Sequence, residues 1–284
     1  MPKSRAVVVL GMHRSGTSAF ARGLKALGVY LGDDFLETKP DNPTGYWEDR
    51  TIVALNERLL STLGLRWEDV ALIDDDFCEK PAVAIIKDLA VDHLRRNFAS
   101  HPLWGFKDPR TIRLLPFWRS VLETIGVEDN YLVAVRNPLS VASSLLQRQY
   151  MDAPTAHKLW LAYSVPNLHL IRTRPFVVAD YDYLMDDARS ELDRISSALK
   201  LPGEANSNEI EYFINEFLAA ELRHSEFSEF DFETILGIST LTREAYLWLR
   251  RLATTDAGSE NQEFWSAWAR VNLAVRSLIG ARTS

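Results

Sequence analysis

The sequence has a single cysteine, Cys78, among its 284 residues, so an intramolecular disulfide is impossible. No cluster of histidines and cysteines has the spacing that is typical of zinc sites. The acidic run 74–76 is more typical of a solvated turn than of a metal site. A chain of this length buries enough apolar surface to fold without disulfides. We therefore expect an ordinary hydrophobic core and no metal.

Long hydrophobic runs are also missing. Near the start of the chain, the apolar run Ala6–Leu10 ends at Gly11, His13 and Arg14. A secretory signal peptide requires a longer apolar stretch, and a membrane-spanning helix one that is longer still. We therefore expect a cytoplasmic protein with no membrane span.

Positive charge is scarce, since 32 Lys and Arg face 39 Asp and Glu and give a net charge of −7. Proteins that follow the phosphates of nucleic acids usually have a basic balance, so no nucleic-acid partner is expected. Residues are 46% hydrophobic and 25% charged, as in folded proteins. No repeat or low-complexity tract is present, and nothing in the sequence specifies an oligomeric state.

Short β-branched runs alternate with longer amphipathic segments, which predicts a doubly wound parallel sheet of the α/β class with helices on its faces. The predicted strands are 6–10, 104–106, 131–135 and 175–179. The predicted helices are 17–27, 51–63, 81–98, 116–125, 139–149, 154–173 with an interruption at Pro166, and 183–200.

The pattern changes after Leu201, where a turn-rich break is followed by three predicted helices, 208–222, 240–254 and 260–279. No strand is predicted beyond this break. We therefore expect an α/β core over residues 1–200 and a helical C-terminal extension over 201–284 that packs on the core.

The first strand leads into the loop Gly11–Ser18, with sequence GMHRSGTS, and then into a helix. A glycine-containing loop at a helix N-terminus directs several backbone N–H groups at one point, where the helix dipole favours an anion. Gly16 permits close backbone approach, and Arg14 adds positive charge. The loop therefore predicts an anion site.

The loop is similar to the P-loop of nucleoside triphosphatases, but Thr17 occupies the position of the P-loop lysine. That lysine reaches the β- and γ-phosphates, and the hydroxyl after it holds Mg²⁺. Its loss disfavours a kinase, although an atypical P-loop small-molecule kinase stays open as an alternative.

Strand ends carry two further segments with chemical character. Arg136 follows the strand 131–135, and Ser144 comes eight residues later, inside the next helix. A guanidinium fork and a hydroxyl together suit a phosphate group. Lys107 and Asp108 follow the strand 104–106, so they are expected at the same edge of the sheet.

The loop HRSGTS resembles the 5'-phosphosulfate loop of PAPS-dependent sulfotransferases, where PAPS is 3'-phosphoadenosine-5'-phosphosulfate. The resemblance extends over residues 5–200. It implies that Arg136 and Ser144 bind the 3'-phosphate and that Lys107 neutralises the transferring group. The cofactor-binding residues implied in the loop are His13, Arg14, Ser15, Gly16, Thr17 and Ser18.

The segment 42–48, with sequence NPTGYWE, is similar to a stretch of bacterial sulfotransferases. Its Glu48 is the candidate catalytic base, with Glu37 as the alternative. The segment 177–184 is similar to a strand-then-Tyr pattern of the family and is expected to be structural. A late Arg-Lys-Gly segment, used by cytosolic aryl and steroid sulfotransferases, is missing, which favours the bacterial, carbohydrate-type relatives.

The resemblance thus implies sulfonate transfer from PAPS, with PAP as the product and no metal, and with Arg14, Glu48 and Lys107 as catalytic residues. The acceptor is expected to be a hydroxyl or amine of a small molecule, glycan or glycolipid. Tyr46, Trp47 and Trp160 are candidates for contacting it. A non-catalytic nucleotide-binding protein is the remaining alternative.

Overall fold

A computed structural model describes residues 4–38, 45–202, 207–218, 227, 231–234, 238–255 and 260–280. Its centre is a sheet of four strands, β1 (Arg5–Leu10), β2 (Leu103–Lys107), β3 (Glu128–Val135) and β4 (Phe176–Asp180). All three strand pairs are parallel, and the strand order is β2-β1-β3-β4. The strands that follow β1 in the chain, β2 and β3, therefore lie on opposite sides of it. Such a reversal in strand order produces a crevice at the carboxyl ends of the strands.

Helices connect and flank the strands. The helices are α1 (Thr17–Ala26), α2 (Arg50–Thr62), α3 (Pro81–Asn97), α4 (Leu115–Ile125), α5 (Pro138–Gln149), α6 (Ala153–Ser164), α7 (Tyr181–Asp186), α8 (Ala188–Ala198), α9 (Ser207–Tyr212), α10 (Asp231–Thr234), α11 (Thr240–Ala253) and α12 (Gln262–Gly280). Within the described ranges, three short 3₁₀ helices cover Phe77–Glu79, Pro109–Ile112 and Leu168–Ile171, and a π-helical segment covers Phe213–Phe217.

Helices cover both faces of the sheet because alternate residues of each strand point to opposite sides. In β1, Ala6, Val8 and Leu10 belong to one core, while Val7 and Val9 belong to the other. Residues of α1 and α8 pack in the second core, and those of α2 to α6 pack in the first. The doubly wound α/β architecture predicted from the sequence is confirmed.

Two predicted helices differ from the structure. The predicted helix 183–200 is two helices, α7 and α8, because Asp187 leaves helical geometry and caps α8 by accepting a hydrogen bond from Ser190 N at 3.1 Å. The predicted helix 154–173 ends at Ser164, before Pro166, and only a 3₁₀ turn follows it. Part of the predicted helix 208–222 lies outside the described residues.

The C-terminal helices join the core of the sheet. Tyr246 of α11 and Trp265 and Trp268 of α12 are buried in the same cluster as Val8 of β1. The domain division at residue 200 stays a prediction. Among the described residues, no helix has the length and apolarity that crossing a membrane would require.

Candidate active site

All four strands end at one cavity of about 630 Å³. The loop after β1 lines it, together with Lys107 at the end of β2, Arg136 after β3 and Tyr181 after β4. This convergence follows from the parallel sheet, because the carboxyl ends of parallel strands share one edge. Tyr181 belongs to the segment 177–184, which was expected to be structural, and it also borders the cavity.

Two glycines allow the loop to lie tightly against its neighbours. Gly11 has φ +150° and Gly16 has φ +79°, in the region that favours glycine. A Cβ on Gly16 would lie 2.1 Å from Cδ2 of Tyr181, and one on Gly11 would lie 2.7 Å from the carbonyl oxygen of Ala134. The loop therefore has this shape only with glycine at both positions.

The loop presents the N-terminus of α1 to the cavity. Gly16 precedes the helix, and no side chain caps it. Uncapped N–H groups at a helix start carry partial positive charge and attract anions. Arg14 adds to this charge and has φ 70°, which is unfavourable for a residue other than glycine.

Arg14 connects the loop to the segment after β3. Its Nε donates a hydrogen bond to Oγ of Ser144 at 2.7 Å, and its carbonyl oxygen accepts one from Nη1 of Arg136 at 3.3 Å. The Arg136 guanidinium lies 4.6 Å from the centre of the Tyr181 ring. The two anion sites predicted from the sequence are therefore neighbours in the structure.

Positive charge is concentrated at this junction. Burial, together with the nearby Arg148 and Arg136, lowers the pKa of Arg14 from 12.5 to about 10. A pKa of about 10 leaves Arg14 charged at neutral pH, so cationic groups lie close together in a partly buried place. An anionic ligand would relieve this repulsion.

Lys107 lies at the centre of a second group of contacts. Its Nζ donates to Oε1 of Glu48 at 2.5 Å, to the carbonyl oxygen of Tyr46 at 3.0 Å and to Oγ of Ser18 at 3.1 Å. These three bonds use all three donors of the ammonium group. The Lys107 and Glu48 side chains are only 2% and 8% exposed, so they form a buried ion pair next to the loop.

Burial raises the pKa of Glu48 above 4.5, while the Lys107 charge opposes the shift. A carboxylate with a raised pKa accepts a proton more readily, as a general base must. The alternative base, Glu37, also borders the cavity but is exposed to solvent.

His13 borders the cavity from the other side of the loop. Its ring lies 4.5 Å from that of Trp67 and 5.8 Å from that of Tyr163. Burial lowers its pKa well below 6.5, and the charges of Arg110 and Lys107 contribute. His13 is therefore a neutral imidazole at physiological pH, and within the described part of the chain its buried Nε2 has no hydrogen-bond partner.

The residues of the cavity wall that the sequence did not indicate include Trp67, Arg110 and Arg148. Trp67 follows α2 in a long loop, where its carbonyl oxygen accepts a hydrogen bond from the Tyr163 hydroxyl at 2.7 Å. Arg110 donates to both carboxylate oxygens of Asp108 at 3.1 Å. Arg110 could have been predicted, because it belongs to the Lys-Asp-Pro-Arg segment that follows β2. Trp67 belongs to no sequence motif and reaches the cavity only through tertiary contacts.

The structure brings most of the predicted site residues together. Ser15 is a buried residue of the loop, and Ser144 contacts the loop through its hydrogen bond with Arg14. The predicted residues that border the cavity are His13, Arg14, Gly16, Thr17, Ser18, Glu48, Lys107 and Arg136.

The aromatic residues proposed to contact an acceptor are placed differently. Tyr46 lines the cavity. Trp160 is buried in the core at 1% exposure, and Trp47 packs against Phe35 and Phe217, so neither is on the cavity wall. Residues 42–44 of the predicted motif lie outside the described residues.

Across the ranges that the structure describes, no three His, Cys, Asp or Glu side chains assemble as a metal site. The carboxylates at the strand ends have other partners. Asp108 accepts hydrogen bonds from Arg110, and Asp180 caps α7 by accepting from Asp182 N at 2.8 Å.

Comparison of the sequence with protein-family profiles gives no match, and comparison with curated proteins gives none either. Among solved structures, the chain is similar to the sulfotransferase domain of an olefin synthase from Synechococcus. The sequence identity is 18%, the alignment covers 96% of this chain and 95% of that chain, and the TM-score is 0.46. Because the identity and the TM-score are low, the function proposed next depends on the site geometry.

Proposed function

We propose that this protein is a sulfotransferase that moves a sulfonate from PAPS to a hydroxyl or amine of a small-molecule, glycan or glycolipid acceptor. The observation that supports the proposal is the hydrogen bond between Arg14 and Ser144, which joins the two segments predicted to bind anionic groups. PAPS has two anionic groups on one nucleoside, a 5'-phosphosulfate and a 3'-phosphate. Two adjacent anion sites match that arrangement.

In this proposal the uncapped N-terminus of α1 and Arg14 hold the 5'-phosphosulfate, with Thr17 and Ser18 beside it. Arg136 and Ser144 hold the 3'-phosphate, because a guanidinium and a hydroxyl form short, charge-assisted bonds to phosphate oxygens. His13 and Ser15 complete the loop around the donor.

The reaction is an in-line displacement at sulfur. The acceptor oxygen or nitrogen forms a bond to sulfur, the bond from sulfur to the 5'-phosphate oxygen breaks, and PAP leaves. Glu48 takes the acceptor proton. Lys107 and Arg14 stabilise the negative charge that develops on the sulfonate and the bridging oxygen, which preorganised cations do effectively in a buried site.

A kinase fits the site less well. Thr17 occupies the position where a P-loop has its lysine, and the strand-end carboxylates Asp108 and Asp180 already accept hydrogen bonds from protein groups. These two strand-end carboxylates are therefore already engaged within the protein. The buried Lys107–Glu48 pair beside the loop also favours catalysis over passive nucleotide binding.

Thermal unfolding with PAP, 5'-AMP and Mg-ATP tests the proposal directly. A ligand that binds only the native state raises the melting temperature, by an amount that grows with its concentration relative to Kd. We expect a clear increase with PAP, a smaller one with 5'-AMP and none with Mg-ATP. An increase with Mg-ATP and none with PAP would refute the proposal and favour the kinase.

A further inference from the structure

The segment that carries Glu48 is held from both sides. The Glu48 carboxylate points to Lys107, and the next residue, Asp49, is buried against α3. Leu36 N donates a hydrogen bond to the carbonyl oxygen of Glu48 at 2.9 Å, and Arg50 N donates to that of Asp34 at 2.9 Å. The backbone around Glu48 is therefore fixed by its neighbours along an antiparallel bridge.

Asp49 links this segment to two helices. Its Oδ1 accepts a hydrogen bond from Ile52 N at 2.9 Å, which caps α2, and lies 2.9 Å from Nε2 of His93 in α3. The Asp49 and His93 side chains are 5% and 14% exposed. A buried carboxylate with two short contacts of this kind has little freedom to move.

Asn97 determines which ring nitrogen of His93 carries the proton. Its amide nitrogen donates to the His93 carbonyl oxygen at 3.0 Å, which fixes the orientation of the amide. The same nitrogen lies 3.1 Å from Nδ1 of His93, so Nδ1 must accept. Nε2 therefore carries the hydrogen and donates a hydrogen bond to Oδ1 of Asp49.

We propose that His93 is a positioning residue for Glu48, acting through Asp49. Asn97 orients the imidazole, His93 holds the Asp49 carboxylate, and Asp49 fixes the backbone from which Glu48 reaches Lys107. The role assigned to Glu48 rests on the proposed function. Catalysis is sensitive to placement, because a displacement of about 1 Å in a reacting group costs on the order of a hundredfold in rate.

A double-mutant cycle with His93→Ala and Glu48→Gln tests this role. Single-turnover transfer from sulfur-35-labelled PAPS would be measured with the fastest of three probe acceptors, methyl β-glucoside, p-nitrophenol and octylamine. We expect His93→Ala to lower the maximal single-turnover rate about tenfold and to leave the PAPS concentration for half-maximal rate within about twofold. In the Glu48→Gln background the same change should alter the rate by less than about twofold.

Three further variants distinguish a positioning role from an effect on folding alone. His93→Gln keeps an N–H donor and should recover most of the rate. Asn97→Ala keeps the imidazole and should cause a smaller loss that also disappears in the Glu48→Gln background. Arg96→Ala, an exposed change on the same helix, should have no effect on transfer.

The outcomes separate the two proposals. Equal losses from His93→Ala in both backgrounds would overturn the positioning role and leave sulfonate transfer intact. A wild-type protein that neither transfers sulfonate nor is stabilised by PAP would overturn the proposed function, and the role of His93 with it.

Discussion

Replacement of Lys107 by methionine should destabilise the protein mainly through Glu48. Methionine has a similar volume and no charge, so the change leaves the Glu48 carboxylate, 8% exposed, without its partner. Removing one member of a buried ion pair costs about 3–5 kcal/mol, because the remaining charge is desolvated and uncompensated. For a chain of this size roughly 2 °C is lost per kcal/mol, so we expect a melting temperature lower by about 6–10 °C.

The loss should depend on pH in a defined direction. Burial raises the pKa of Glu48 above 4.5, and Lys107 is the largest opposing influence, so the variant has a still higher pKa. A carboxyl group whose folded-state pKa is raised destabilises the fold as pH rises above its unfolded-state value. At low pH the variant avoids the cost by protonating Glu48. The difference from wild type should therefore be smaller at about pH 5 than at about pH 8.

Thermal unfolding of Lys107→Met, Glu48→Gln and the double variant at both pH values checks this reasoning. The double variant removes both charges and should recover at least half of the loss. Ser18→Ala removes another contact of the same ammonium group and controls for hydrogen bonding alone. A loss that is equal at both pH values, or a double variant no more stable than Lys107→Met, would refute the reasoning.

Two other substitutions test the binding site and the helix that follows β4. Arg136→Ala should weaken PAP binding about 10- to 100-fold, because it removes charge-assisted bonds to the 3'-phosphate, and it should weaken 5'-AMP binding much less. Equal weakening of both ligands in calorimetry would show that Arg136 does not bind the 3'-phosphate. Burial and the nearby Asp182 raise the pKa of Asp180 from 3.8 to about 6, so wild type should lose stability as pH rises through that interval. Asp180→Asn keeps an N-capping side chain and should lack this loss, a difference of roughly 2–3 kcal/mol in urea unfolding between about pH 4 and pH 6. Parallel pH curves would contradict the assignment to Asp180.

The central strands were predictable because their residues are buried on both faces. The runs Ala6–Leu10 and Tyr131–Val135 are continuously apolar and contain several valines, as in the strands of parallel sheets. The start of β3 was missed, since Glu128, Asp129 and Asn130 are polar and join the sheet through pairing with β1. Which residues of two strands pair is determined by the tertiary structure. Polar residues at the end of a strand therefore do not indicate, from the local sequence, that they belong to the strand.

The sequence was sufficient to predict that residues at the strand ends share one site, because the carboxyl ends of parallel strands lie at the same edge of the sheet. Lys107 ends β2 and Arg136 follows β3, both strands pair with β1, and both residues border the cavity. The direct contact between Lys107 and Glu48 could not be predicted. Glu48 lies 59 residues earlier, in an irregular segment whose path depends on its bridge to Phe35 and on Asp49.

The guanidinium groups around Arg14 have a consequence for anyone who handles the protein. Their mutual repulsion favours binding of a small anion from the medium close to Arg14. Phosphate or sulfate in a buffer would then compete with a nucleotide, and an affinity measured there would underestimate the true one. The ligand-free protein should therefore be studied in a buffer with a low concentration of chloride, because anions from the medium balance the positive charge of these guanidinium groups.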